Sequence, residues 1–244
     1  MKNFADNANA FFGRALQKTE EAFKTAEKTP LDSNLENLIV QATKRKNWAT
    51  QLITICRHVV QPNPALRMED AVLKGFDRTK ERTSDTTEFA NSMASISNEI
   101  GAQTAHGRAL EMCARVQEQL GQNEQAMQKA VDQTYIKWLQ DYLDGSAKHA
   151  QTERDNLEQA RLDLDRAKTK LRRTKEGDAK RHAIQDEVNQ AQRVFTSQCD
   201  TTRQALETCV SEFDQHQTAL RKLLQCQLDY HDKCANAIQS VMQE

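Results

Sequence analysis

Leu157-Glu-Gln-Ala160-Arg-Leu-Asp-Leu164-Asp-Arg-Ala167-Lys-Thr-Lys-Leu171 places an apolar or small residue at alternating intervals of three and four. That alternation has a period of 3.5, the mark of a helix packed along a narrow seam against another helix. The spacing runs upstream through Phe89, Met93, Ile96 and Ile100, then Ala109, Cys113, Val116 and Leu120, and later Met127, Val131, Trp138 and Tyr142. No proline falls between about 85 and 173. The pattern predicts one helix of about 85 residues, roughly 130 Å long at 1.5 Å per residue. Gly101, Gly107, Gly121 and Gly145 are its expected weak points.

Composition agrees. The chain of 244 residues has 7 Gly and 3 Pro, about a third of the usual share. A sandwich or a βαβ fold needs a turn every 8–15 residues and the residues that make one. Hydrophobic residues are 38% and aromatics 5%, too few for a thick core but enough for a thin bundle. The expected class is therefore all-α, with three long helices.

The first of them is expected over about 31–60, after a break at Thr29-Pro30-Leu31-Asp32. Its seam runs through Leu31, Leu35, Leu38, Ala42, Ala49, Leu52, Cys56 and Val59, interrupted by Arg45. Leu35, Leu38 and the neighbouring Ile39 are expected to leave apolar surface for a second copy. Gln61-Pro62-Asn63-Pro64 ends the helix, because proline removes a donor and forces its neighbour to extend. An insert over 61–84 carries Met68, Val72 and Phe76 on one helical face. The third helix is expected over about 181–243, with Ile184, Val188, Phe195, Thr202, Ala205, Cys209, Phe213, Leu220, Leu223, Tyr230 and Cys234 in its seam.

Two stretches suggest a surface. Within residues 1–26, Phe4, Ala8, Phe11, Phe12 and Leu16 fall on one side of a helical wheel. Such a face needs an apolar phase, either a lipid boundary or the protein's own core. Around the turn Thr174-Lys175-Glu176-Gly177-Asp178, residues 166–182 carry Arg166, Lys168, Lys170, Arg172, Arg173, Lys175, Lys180 and Arg181 against Glu176 and Asp178. The net charge there is +6, in a chain whose total is −1. That local excess points to an anionic partner.

Other classes find little support. No run reaches 18 apolar residues, and the N-terminus has no apolar core of a signal peptide. Six cysteines at 56, 113, 199, 209, 226 and 234 form no CxxC, which suits reduced thiols in a cytosolic protein. The six histidines are scattered, and HExxH, GxSxG and P-loop motifs are absent. Cys226, Tyr230 and Cys234 recur at i, i+4 and i+8, a spacing that a helical seam supplies without any metal. Asp163 and Asp165 cannot face the same way on a helix and make a poor acid–base couple. Neither an enzyme nor a metal or cofactor is expected. Nucleic acid is disfavoured too, because the tip has no interleaved aromatics.

Four landmarks together resemble the N-BAR region of the endophilin family, more the B type than the A type. They are Thr19 to Leu38 (TEEAFKTAEKTPLDSNLENL), Gln61-Pro-Asn-Pro64, Arg161 to Lys168 (RLDLDRAK), and Gln225 to His231 (QCQLDYH), in the family's order along the whole chain. The resemblance implies a BAR domain over 27–244 behind an amphipathic segment over 1–26. It implies a crescent-shaped antiparallel homodimer, or a heterodimer with a related BAR chain. It also implies a basic concave face that binds anionic phospholipid, and a cytoplasmic, membrane-peripheral role in endocytosis or intracellular trafficking. The chain departs from the family in having Trp138 where relatives often have proline, so the second helix must kink elsewhere, for instance at Gly145. No SH3 domain precedes Glu244, so SH3-dependent partners are not implied. The rival reading is a coiled-coil adaptor that binds proteins and not lipid; it leaves the phenylalanine face and the basic tip without a task.

Overall fold

The computed structural model describes residues 28–75 and 84–242, and among these every regular element is helical. In chain order they are α1 (Ser33–Val60), α2 (Pro64–Gly75), α3 (Asp85–Ile100), α4 (Ala105–Val131), α5 (Lys137–Tyr142), α6 (Lys148–Arg173), α7 (Arg181–Asp214) and α8 (His216–Met242). Two π-helical turns, Asp132–Ile136 and Leu143–Ala147, flank α5. The described residues fall into two bodies. One comprises 28–43 and 146–210, the other 44–75, 84–145 and 211–242.

The expected helix over 85–173 does not run unbroken. It stops at Ile100, and α4 begins at Ala105. Gly101 has φ +96°, a conformation that residues with a Cβ rarely adopt. Thr104 then caps the new helix by accepting the Gly107 N–H at 2.9 Å. α3 and α4 fold back on each other as an antiparallel hairpin. The Ser97 hydroxyl donates to the Gly107 carbonyl at 2.7 Å. Apart from Val131 at the end of α4, the buried positions of this pair are small and seven apart within each helix, Ala90 and Ser97 on α3, Gly107, Ala114 and Gly121 on α4. Small residues let two backbones approach closely, and the large side chains are turned to the other face. Phe89, Ile96 and Ile100, expected in the seam, are accordingly exposed. Gly107 and Gly121 are thus sites of close approach and not breaks. A Cβ on Gly121 would lie 2.5 Å from Thr87 Oγ1 and 2.7 Å from Ser84 Oγ. Gly121→Ala should cost about 1–3 kcal/mol of stability through overpacking, read by urea unfolding.

Gly145 has non-helical torsions, φ −92° and ψ −106°, so the helical path of this stretch is interrupted there and Trp138 is accommodated in α5. The third helix also has a hitch. Gln215 separates α7 from α8, with the tighter bonds Gln215 N–H to Glu212 O and Thr218 N–H to Gln215 O, both 3.0 Å.

In the first body, Asp32 caps α1, accepting the Leu35 N–H at 2.9 Å. That N–H, joined by Arg203 at 2.7 Å, holds the Asp32 carboxyl below its ordinary value. Leu35, Leu38 and Ala42 of α1 are buried, as are Leu157 and Leu164 of α6 and Ile184, Phe195 and Leu206 of α7. Thr202 donates to the Glu153 carbonyl at 2.9 Å, and Gln198 reaches the Glu153 carboxylate at 2.7 Å.

An aromatic cluster centres the second body. Phe213 packs against Tyr142, His216, Trp138 and Trp48 at centroid distances of 5.1–6.3 Å. Arg45, which interrupts the first seam, pairs with Asp214 at 3.1 Å. The Tyr135 hydroxyl and His216 Nε2 share a hydrogen bond at 3.1 Å. Burial holds the His216 imidazole below its ordinary pKa and raises that of the Tyr135 phenol. A histidine with a lowered folded pKa binds fewer protons than the unfolded chain, so its contribution is complete above the unfolded pKa and is lost as pH falls through that value towards the folded one. Melting temperature should fall from about pH 7.5 to about 5.5, and His216→Phe should flatten that fall.

Candidate functional surfaces

The basic turn is built by α6, α7 and the seven residues between them. Cations suit the last turn of α6, where unpaired carbonyls concentrate negative partial charge. Thr174 ends the helix, its hydroxyl donating to the Lys170 carbonyl at 2.8 Å. Gly177 turns the chain at φ +88°. Asp178 accepts the Lys180 N–H at 2.9 Å, and Arg181 reaches back to the Thr174 carbonyl at 2.7 Å.

The structure sorts the eight basic residues into two sets. Arg166 pairs with Asp163 at 3.2 Å, and Lys170 with Glu187 at 2.6 Å. Lys168 turns to the Thr29 hydroxyl at 3.0 Å, and Arg181 serves the turn itself. Arg172, Arg173, Lys175 and Lys180 are exposed. Among the described residues none of these four has a carboxylate within ion-pair distance; Arg172 bonds only Thr169 Oγ1, at 3.2 Å. The +6 of residues 166–182 therefore overstates the available charge, because Asp163 and Glu187 lie just outside that window. The Asp163–Arg166 spacing of three was legible as a helical pair. Lys170–Glu187 crosses the hairpin and left no local signal.

α2 gives the insert its helix. Pro64 occupies the first helical position, and Asn63 accepts the Ala65 N–H at 3.0 Å. Met68 and Val72 lie one turn apart and are exposed, Met68 to 73%. Phe76 lies outside the described residues, as do Phe4, Ala8, Phe11, Phe12 and Leu16.

The expected seam for a second copy needs correction. Leu35 is fully buried and Leu38 is 9% exposed within the single chain, so neither offers surface to a partner. Leu31 and Ile39 are half-buried. Leu52 is half-buried too, and Ile53 takes the inward position beside it. Most of the exposed large apolar residues lie in the second body, Val40 and Val194 of the first body being the exceptions. Three sets stand out there: Trp48, Ile55 and Val59 on α1, Phe89, Ile96 and Ile100 on α3, and Leu220, Leu224 and Leu228 on α8. The first two sets share the spacing i, i+7, i+11, and the third is i, i+4, i+8, so each forms a stripe on one helical face. The sequence pattern contained these stripes, but a seam 3.5 residues apart does not reveal which helix covers it.

The six cysteines are thiols, none of them joined in a disulfide. Cys226 faces Thr134 at 3.8 Å and Cys234 faces Asn123 at 4.0 Å, so both pack against the α4 side of the second body. No helix among the described residues is long and apolar enough to cross a membrane.

A family model described as BAR domain matches residues 7–244. The chain is 34% identical to chicken (Gallus gallus) endophilin-B1 over 235 residues, which covers 96% of this chain and 64% of that protein. It is 31% identical to human endophilin-B2 over 263 residues, covering 96% of this chain and 67% of the relative. Human endophilin-B1 is 32% identical, with 96% and 64% covered. The chain thus spans about two thirds of the length of these relatives.

Proposed function

This chain belongs to the BAR domain family, and on that premise we propose that it is a peripheral membrane-binding scaffold, acting as a crescent-shaped dimer that senses or generates the curvature of anionic bilayers. The observation that carries this reading is the basic turn, where Arg172, Arg173, Lys175 and Lys180 stand exposed without a carboxylate partner among the described residues. A cation near an anionic leaflet contributes up to about 1 kcal/mol. Two copies double the charge in one particle and add avidity. A scaffold of this kind performs no covalent chemistry, and its place is the cytoplasmic face of membranes in endocytic or intracellular trafficking.

Residues 1–26 supply the apolar half of the contact, with Phe4, Ala8, Phe11, Phe12 and Leu16 entering the headgroup boundary. Met68, Val72 and Phe76 of the insert add a second apolar contact. Self-association uses the stripes of the second body. Burying a side chain such as Leu224 is worth roughly 1.5–3 kcal/mol, so several per chain exceed the cost of association. The occupant is a second copy, or a related BAR chain in a heterodimer.

Circular dichroism with anionic vesicles tests the N-terminal part. An amphipathic segment without an apolar phase cannot offset an ordering entropy of about 1–2 kcal/mol per residue. Helix should increase on vesicles, and Phe12→Glu should remove the increase. Spectra that do not change with lipid would place the phenylalanine face on the protein itself.

A further inference from the structure

Thr29 sits in the non-helical stretch 28–32 that leads into α1. Both of its donors go to one carboxylate. Its hydroxyl meets Asp165 Oδ1 at 2.5 Å, and its N–H meets the same oxygen at 3.1 Å. Asp165 is 5% exposed, one of few buried polar residues in the described chain, and Lys168 donates to the Thr29 hydroxyl at 3.0 Å. Lys28 adds an exposed pair with Glu158 at 3.4 Å. At Thr29 the point where the chain enters α1 is therefore pinned to α6 through the Asp165 carboxylate, with Lys168 beside it. Proline follows at position 30. Proline keeps the preceding residue out of the helical region and removes the next N–H, leaving an extended Thr-Pro dipeptide. That is the chemistry read by protein kinases whose pocket accepts proline after the phospho-acceptor. Lys28 precedes the dipeptide and Asp32 stands three residues after Thr29, so a kinase requiring a basic residue at that later position is a poor match.

We propose that Thr29 is a phosphorylation site for a proline-directed protein kinase of the mitogen-activated class, and that the modification releases this segment from α6. In the transfer, Thr29 Oγ1 forms a bond to the γ-phosphorus of ATP. The bond from that phosphorus to the β–γ bridging oxygen breaks, ADP leaves, and the kinase's base takes the hydroxyl proton. The product carries nearly two negative charges and no longer has the hydroxyl hydrogen. It cannot stay where the hydroxyl was. Asp165 and Lys168 already lie within 3.0 Å of that oxygen, which leaves no room for a phosphoryl group, and the buried carboxylate repels it. Lys168 is a single cation against a dianion and a carboxylate. The phosphoryl group turns outward and Asp165 loses both bonds.

The test uses the full chain, a purified mitogen-activated protein kinase and magnesium ATP. Peptide mass spectrometry should find phosphate on Thr29, and none at that peptide in Thr29→Ala. Asp165→Ala, which frees the hydroxyl beforehand, should be modified at least threefold faster. Hydrogen exchange then compares the phosphorylated chain with its unmodified self, a comparison that needs no variant to fold. The Thr29 amide should exchange at least tenfold faster after modification, while α7 amides around Thr202 keep their protection. Absence of phosphate on Thr29 in both wild type and Asp165→Ala would overturn the site. Phosphate on Thr29 with unchanged exchange would overturn the release.

Discussion

Replacing Arg172 and Arg173 together by glutamate should lower binding to anionic vesicles at least tenfold while self-association is unchanged. Both arginines are exposed at the end of α6, and neither contacts a carboxylate among the described residues. The change swings each turn by four charges, and a dimer carries two turns. At up to about 1 kcal/mol per cation, screened over about 8 Å at physiological salt, the loss should reach several kcal/mol. A tenfold change corresponds to only about 1.4 kcal/mol, so the stated limit leaves room for screening and distance. The structure supplies an internal control. Arg166 and Lys170 are already matched by Asp163 and Glu187. Changing both to glutamine should weaken vesicle binding much less, although the formal charge removed, two per chain, is half that of the glutamate pair. A loss half as large in free energy as that of the glutamate pair would mean that only net charge matters and that the arrangement of the turn is irrelevant.

Introducing aspartate at Ile55 and Leu224 should convert the dimer to a monomer at micromolar concentration. Each residue is more than half exposed in the single chain, Leu224 to 63%, so the substitutions leave the protomer's own core alone. In an interface they would bury carboxylates without partners, which costs several kcal/mol each. A weakening of about a thousandfold, or roughly 4 kcal/mol, is the least expected. Sedimentation equilibrium reads the association and circular dichroism the helices. By contrast, Leu35→Ala lies in the core of the first body and should destabilise folding by about 2–5 kcal/mol, with no direct effect on the dimer contact. A monomer produced by Leu35→Ala with its helices intact would reverse this assignment of surfaces.

The sequence made the helical class plain because so few residues can form turns, and because the seam repeats over most of the chain. It also located the basic turn, since Gly177 and the run from Arg172 to Arg181 are local features. What it misjudged were matters of pairing. Gly101 looked like one weak point among four, whereas it ends α3 and sends α4 back along it. The small residues Ala90 and Ser97 on α3, and Gly107, Ala114 and Gly121 on α4, recur every seven residues within each helix, a signal of close helix packing that the large apolar residues beside them obscured. The same misreading placed Phe89, Ile96 and Ile100 inside. Leu35 and Leu38 were assigned to a partner because a single helix cannot show which neighbour covers it. Lys168 was counted as surface charge, and its engagement by Thr29, 139 positions away, depends on tertiary structure alone.

Flotation of the protein with vesicles of graded charge and diameter tests the scaffold reading most directly. Binding should be strong on vesicles containing phosphatidylserine, weak on pure phosphatidylcholine, and should decline as salt rises. At equal lipid area it should be greater on small vesicles than on large ones, or the large ones should be drawn into tubules. Binding that ignores lipid charge and vesicle diameter, or no binding to any vesicle by a dimeric chain, would contradict the account and favour an adaptor that recognises proteins.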